Sequence, residues 1–194
     1  DLRAAYVGAT ADERITAMTG LWDEPADADG RYARLVLTAR AAARIRPADG
    51  GAASDRLVAS MLTAGLDRRA LRWESVLTRG GDGWAMVTLA DPRRGALGLD
   101  AVQAYSGTAA KRAMFFAGLA GLGRLSQADV AEGAQDLELN LAGNDPWSRA
   151  IDRAARADQP GTVLLLCAAG MQTRDWRGVS PAMLSQQLAR IQQE

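Results

Sequence analysis

Ala110-Lys111-Arg112-Ala113-Met114-Phe115-Phe116-Ala117-Gly118-Leu119-Ala120-Gly121-Leu122-Gly123 is the stretch on which the fold turns. Met114, Phe115, Phe116, Leu119 and Leu122 point to most sides of a helical wheel. A helix that is apolar nearly all round has to be covered by other elements. Ala113, Ala117 and Gly121 recur every four residues and leave a shallow row into which a second helix packs closely. The segment is expected at the centre of a helical core. A cofactor slot would need polar groups that it lacks.

Outward from this helix, apolar residues keep the 3.6-residue period in both directions. Ile15, Met18 and Trp22 form one stripe, and Tyr32, Leu35, Val36, Ala39 and Ala43 another. Leu57, Val58, Met61 and Leu62 form a third, and Leu66, Ala70, Trp73 and Leu77 a fourth. Trp147, Ala150, Ile151, Ala154 and Ala155 follow, and Leu184, Leu188 and Ile191 close the chain. Each stripe predicts a helix with one covered face. Ser54, Asp67, Ser126, Asp145 and Ser180 stand at expected N-caps, Pro146 and Pro181 at first helical positions, and Gly65 and Gly178 at helix ends. Strand signals are thin. Leu137-Glu138-Leu139-Asn140-Leu141 alternates but continues a helical pattern from Val130. The Thr162–Ala169 run suits a buried strand by periodicity, yet no partner strand exists, so it reads as a buried helix.

The expected fold is all-α: about a dozen helices of roughly 8–16 residues, in antiparallel hairpins packed as an irregular α-α superhelix. A weak internal similarity supports the array. Trp73-x-x-Val76-Leu77-x-Arg79 and Trp147-x-x-Ala150-Ile151-x-Arg153 are each followed by a Gly-led apolar block, at Gly83 and Gly161, with Gly30 to Ala39 as a third candidate copy. Residues 1–194 are expected to form a single helical domain. Asp1 is not methionine and Ile191–Glu194 reads as mid-helix, so a piece of a longer chain is expected.

Composition narrows the chemistry. The chain has no histidine and a single cysteine. Histidine is the commonest general acid/base and metal ligand near neutral pH, so the usual triads and most zinc sites are excluded. Cys167 sits in the apolar run Val163–Ala169, where a thiol is inert, and one cysteine makes no internal disulfide. Cations and anions balance at 23 each, so no global field attracts nucleic acid or an anionic membrane. All the cations but Lys111 are arginine, and nothing along the sequence gathers them into a stripe. No apolar run reaches the ~20 residues of a membrane span. No signal-like segment is present, and a cytoplasmic location is expected.

Motifs that carry chemistry fail on spacing. Asp27-Ala28-Asp29-Gly30 has the middle of a calcium loop, but Pro25 and Val36 stand where ligands are required. Glu74-Ser75 after an aromatic residue resembles the Glu-Ser of lytic transglycosylases. The Gly-Leu-Met-Gln block of that family is replaced by Arg93-Arg94-Gly95-Ala96-Leu97, so the likeness ends at two residues. Gly118-x-x-Gly121-x-Gly123 has the wrong glycine order for a dinucleotide loop, and Gly107–Lys111 lacks the spacing of a P-loop. Asp129, Glu132 and Asp136 share a helix face, the pattern of a solvated side.

No catalytic, metal or cofactor residue is therefore assigned. The expected function is a non-catalytic scaffold or protein-interaction domain with an unidentified protein partner. Trp176, set among charges in Thr173–Gly178, is the candidate contact residue. The alternatives are a small-molecule or lipid pocket lined by Met114, Phe115, Leu164 and Leu165, and an enzyme using Glu132 and Asp136.

Overall fold

The computed structural model describes residues 1–137, 146–159, 162–163 and 166. Among the described residues there are ten α-helices, three 3-10 segments and no strand, so the all-helical class holds. The chain divides into two compact units, residues 1–95 with 103–107, and residues 96–102 with 108 onward.

The first unit contains α1 (Leu2–Val7), α2 (Ala11–Asp23), α3 (Ala28–Ala42), α4 (Ser54–Thr63), α5 (Asp67–Ala70) and α6 (Asp82–Ala90). α1 packs on α2, α2 on α3, α3 on α4, and α4 on α6. Met18, Trp22, Leu57, Val58, Met61 and Trp73 are buried at the centre. A polar thread ties three helices there. The Trp22 indole Nε1 donates to Thr38 Oγ1 at 2.8 Å. Thr38 donates to the Arg34 carbonyl at 2.8 Å, and Ser60 Oγ donates to the Leu35 carbonyl at 2.7 Å.

That thread changes the reading of α3. Its buried face is centred on Thr38, Ala39, Ala41 and Ala42, with Leu35 and Ala43 half-buried. Tyr32 and Val36, expected inside, are exposed, and so is Leu37. Inside, the Thr38 hydroxyl satisfies the buried Trp22 indole donor. α3 carries more apolar residues than one covered face can hold, and the remainder meets solvent.

Helix ends follow local chemistry. Thr10 Oγ1 accepts from Glu13 N at 3.1 Å to cap α2. Asp27 Oδ1 accepts from Gly30 N at 2.6 Å to cap α3, so the aspartates of the would-be calcium loop are a helix start. This backbone hydrogen bond, first among its causes, holds the Asp27 carboxyl below the usual carboxylate range. Ser54 and Asp67 are first helical residues rather than caps, so each helix begins one residue earlier than expected. α4 ends in a left-handed Gly65, with Leu66 N donating to the Met61 carbonyl at 2.9 Å and Gly65 N to that of Leu62 at 3.1 Å. These bonds close the final turn as a Schellman motif. The helix expected over Leu66–Leu77 divides into α5 and a 3-10 segment, Leu71–Val76. Ala70 and Trp73, three apart, stay buried together.

The second unit contains most of α7 (Leu99–Ala104), then α8 (Ala109–Gly121), α9 (Gln127–Asp136) and α10 (Pro146–Arg156). α8 is buried from Met114 through Leu119, as its all-round apolarity requires. α10 packs on α8. A Cβ added to Gly121 would lie 3.2 Å from Ile151 Cγ2 and 3.0 Å from Val163 Cγ1, so the small-residue row admits its neighbours at that point. Ser126 caps α9, accepting from Asp129 N at 3.1 Å, and Pro146 opens α10. The proposed sequence repeat has no local counterpart in its first block, since Leu71–Val76 is a 3-10 segment whereas Pro146–Arg156 is an α-helix. Asp145, Pro181, Ser180, Gly178 and the terminal stripe lie outside the described residues.

Candidate functional site

Among the described residues, the carboxylates are engaged or dispersed. Glu132 and Asp136 are exposed on α9. Asp129 accepts from its capping Ser126 hydroxyl at 2.7 Å. Glu74 is solvent-accessible and ion-paired with Arg94. Tyr105 donates to Asp82 Oδ1 at 2.6 Å. Burial first, and then Asp82, push the Tyr105 phenol far above its ordinary value, so it serves as a buried donor and not as a base. No group of three acidic or cysteine side chains is arranged around a common point among the described residues. No helix among them is long and apolar enough to cross a membrane.

The expected contact residue Trp176 lies outside the described residues, as do Cys167, Leu164 and Leu165. Met114 and Phe115 are packed within α8, 2% and 0% exposed.

The structure assembles something the sequence reading missed. The end of α3, the turn after it, and α5 with its 3-10 continuation surround a groove of about 590 Å³. Its rim carries Arg40, Arg44, Arg46, Arg69 and Arg72, and its apolar part is Ala43, Ile45, Pro47 and Leu66. Five of the arginines, which form no stripe along the sequence, line this one groove.

Local structure explains how. Arg40 and Arg44 are four residues apart and project from one side of α3's end. Their positive charge there complements the negative end of the helix dipole. The chain then tightens, with Arg44 N donating to the Ala41 carbonyl at 3.0 Å and Ile45 N to that of Ala42 at 3.0 Å. Ile45 is driven into the core. Arg46 takes an extended backbone before the 3-10 turn Pro47–Asp49. Arg69 and Arg72 are three apart, the repeat of the 3-10 turn that α5 runs into.

All five arginines are exposed. Arg46 Nε donates to Asp49 Oδ2 at 2.9 Å. Arg44 lies over the Tyr6 ring, 6.0 Å from its centre. Among the described residues, Arg40, Arg44, Arg69 and Arg72 have no carboxylate partner, and no acidic residue lines the groove. Like charges this close repel within a Debye length of ~8–10 Å. An anion relieves that repulsion and offers oxygens that guanidinium forks bind in pairs. The lining supplies no nucleophile, and guanidinium is no base at neutral pH. The lining is cationic and aliphatic.

A weak signal of it was legible: Arg40 and Arg44 at helical spacing, and Arg69 and Arg72 at 3-10 spacing. What a linear reading could not supply was that the two pairs line one groove. Compared with known protein families, with curated proteins and with solved structures, the chain finds no match.

Proposed function

We propose that this chain is a non-catalytic protein-interaction domain that holds an acidic segment of a partner protein in its arginine-lined groove. The observation that carries the reading is the set of five exposed arginines around one groove with no acidic residue in its lining. In a chain of zero net charge, that local excess is a marked electrostatic feature, and charge complementarity of this kind steers encounter and selects partners.

The test is fluorescence anisotropy with a labelled Glu-rich peptide at low and high salt. Binding should weaken with salt, and the Arg44→Glu/Arg69→Glu double variant should lose at least about tenfold in affinity, because two attractions become repulsions. Salt-independent binding, or none, would sink the reading. The second reading is a small polyanion, favoured by a groove volume within the ~300–1,000 Å³ of small-ligand sites. Citrate or inorganic phosphate that displaces the peptide at micromolar concentration would shift the assignment there.

The irregular superhelix expected of the hairpins is part of the same proposal. Small-angle scattering should then give a radius of gyration well above the ~16 Å of a compact chain of this length, and a compact value would rule the superhelix out.

A further inference from the structure

We propose that the acidic segment is an amphipathic helix, which lays its apolar side along the exposed face of α3 and sets its acidic end among the groove arginines. This rests on the groove being an acid-binding site and adds the form and second contact of what binds.

The added observation is the solvent face of α3. Ala33, Val36, Leu37, Arg40 and Arg44 fall at i, i+3, i+4, i+7 and i+11, so they line one side of the helix. Val36 and Leu37 are 40% and 43% exposed, while Thr38 and Ala42 on the opposite side are buried against the unit's core, and Tyr6 of α1 borders the face on its Leu37 side, its hydroxyl donating to the Leu37 carbonyl at 2.9 Å. The face changes character along its length. Its first half is apolar, and its second half is the arginine rim of the groove. From Ala33 to Arg44 it spans about 16 Å at ~1.5 Å per residue, which three turns of a partner helix cover.

The form of the partner follows from what α3 offers. An extended peptide gains its affinity by adding to a sheet edge, and the described residues contain no strand. A polyproline segment docks in an aromatic-lined groove, whereas this lining is aliphatic and cationic. An amphipathic helix docks through its own i, i+3, i+4 and i+7 residues on an apolar surface, and Ala33, Val36 and Leu37 offer such a surface beside the arginines. Acidic residues in its first turn also suit its own dipole, so the acids belong at its N-terminal end. An anionic membrane is less well matched. Interfacial helices carry Trp, Phe or Leu across a wide face with flanking cations, whereas here the face itself is Ala33, Val36 and Leu37, with Tyr32 at its edge, and its cations lie at one end.

The experiment uses the whole chain and three labelled 16-residue peptides. One has Glu in its first turn and Leu at i, i+3, i+4 and i+7. The second scrambles the same residues so that no face is apolar, and the third replaces each Glu by Gln. The first should bind at least about tenfold tighter than either control, and its circular dichroism should gain helicity on binding. Val36→Glu/Leu37→Glu should cancel its advantage over the scrambled peptide. Both sites are exposed, and an unchanged far-ultraviolet spectrum of the variant checks the fold. Equal binding of the first two peptides would overturn the helix while leaving the acid-binding groove standing. Failure of every Glu peptide would retire both. Sedimentation with phosphatidylserine vesicles without peptide binding would replace the helix by a membrane. Concentration-dependent dimers abolished by Val36→Glu would replace it by a second copy of the chain.

Discussion

Thr38 shows how one side chain can orient a helix. Its hydroxyl accepts from the Trp22 indole and donates to the Arg34 carbonyl, and its oxygen stands 3.2 Å from Ser60 Oγ. All three side chains are buried. Thr38→Val keeps the shape and removes the hydroxyl, stranding the indole N–H away from water. A buried donor without a partner costs about 1–3 kcal/mol. Urea denaturation followed by tryptophan fluorescence should register a loss of that size, and a change below about 0.5 kcal/mol would show the thread to be dispensable. With Thr38, Ala41 and Ala42 inward, Val36 and Leu37 meet solvent.

Among the elements, glycines mark where helices touch and where they do not. Gly20 lies inside α2 with nothing within 4 Å of an added Cβ, so it gives only backbone freedom to the unfolded chain. Gly20→Ala should stabilise by about 0.5–1 kcal/mol. Gly121 is the opposite case, since Ile151 and Val163 occupy the space beside it. Gly121→Leu should destabilise by about 1–3 kcal/mol through overpacking between α8 and α10. Thermal melts of the two variants should move in opposite directions, and a neutral Gly121→Leu would mean that α10 does not press on α8. Both helices were visible in the amphipathic pattern. Whether a given glycine was a contact or a gap was not, because that depends on what lies across from it.

Over the whole molecule, charge is balanced in sum and uneven in place. The equal totals exclude a global field, and the groove is a local concentration of cations within that balance. Its arginines come from two segments more than twenty residues apart, at 40–46 and 69–72, so their meeting is a property of how α3, α4 and α5 pack. The salt dependence of peptide binding is thus a test of the fold as well as of the function. A variant that displaces α5 should lose the salt-sensitive part of binding even with every arginine retained.

The helical class, the buried α8, the capping Ser126, the proline that opens α10 and the glycine that ends α4 were determined by the sequence itself. Each depends on near neighbours: a 3.6-residue period, an oxygen three residues before an unpaired N–H, or a left-handed turn that suits glycine. The outward face of α3 and the arginine groove were decided only by the tertiary structure. α3 has enough apolar residues for more than one buried face, and packing against α2 and α4 decides which one is covered. The arginines acquire a common purpose only where packing brings distant segments side by side, and no local period encodes that.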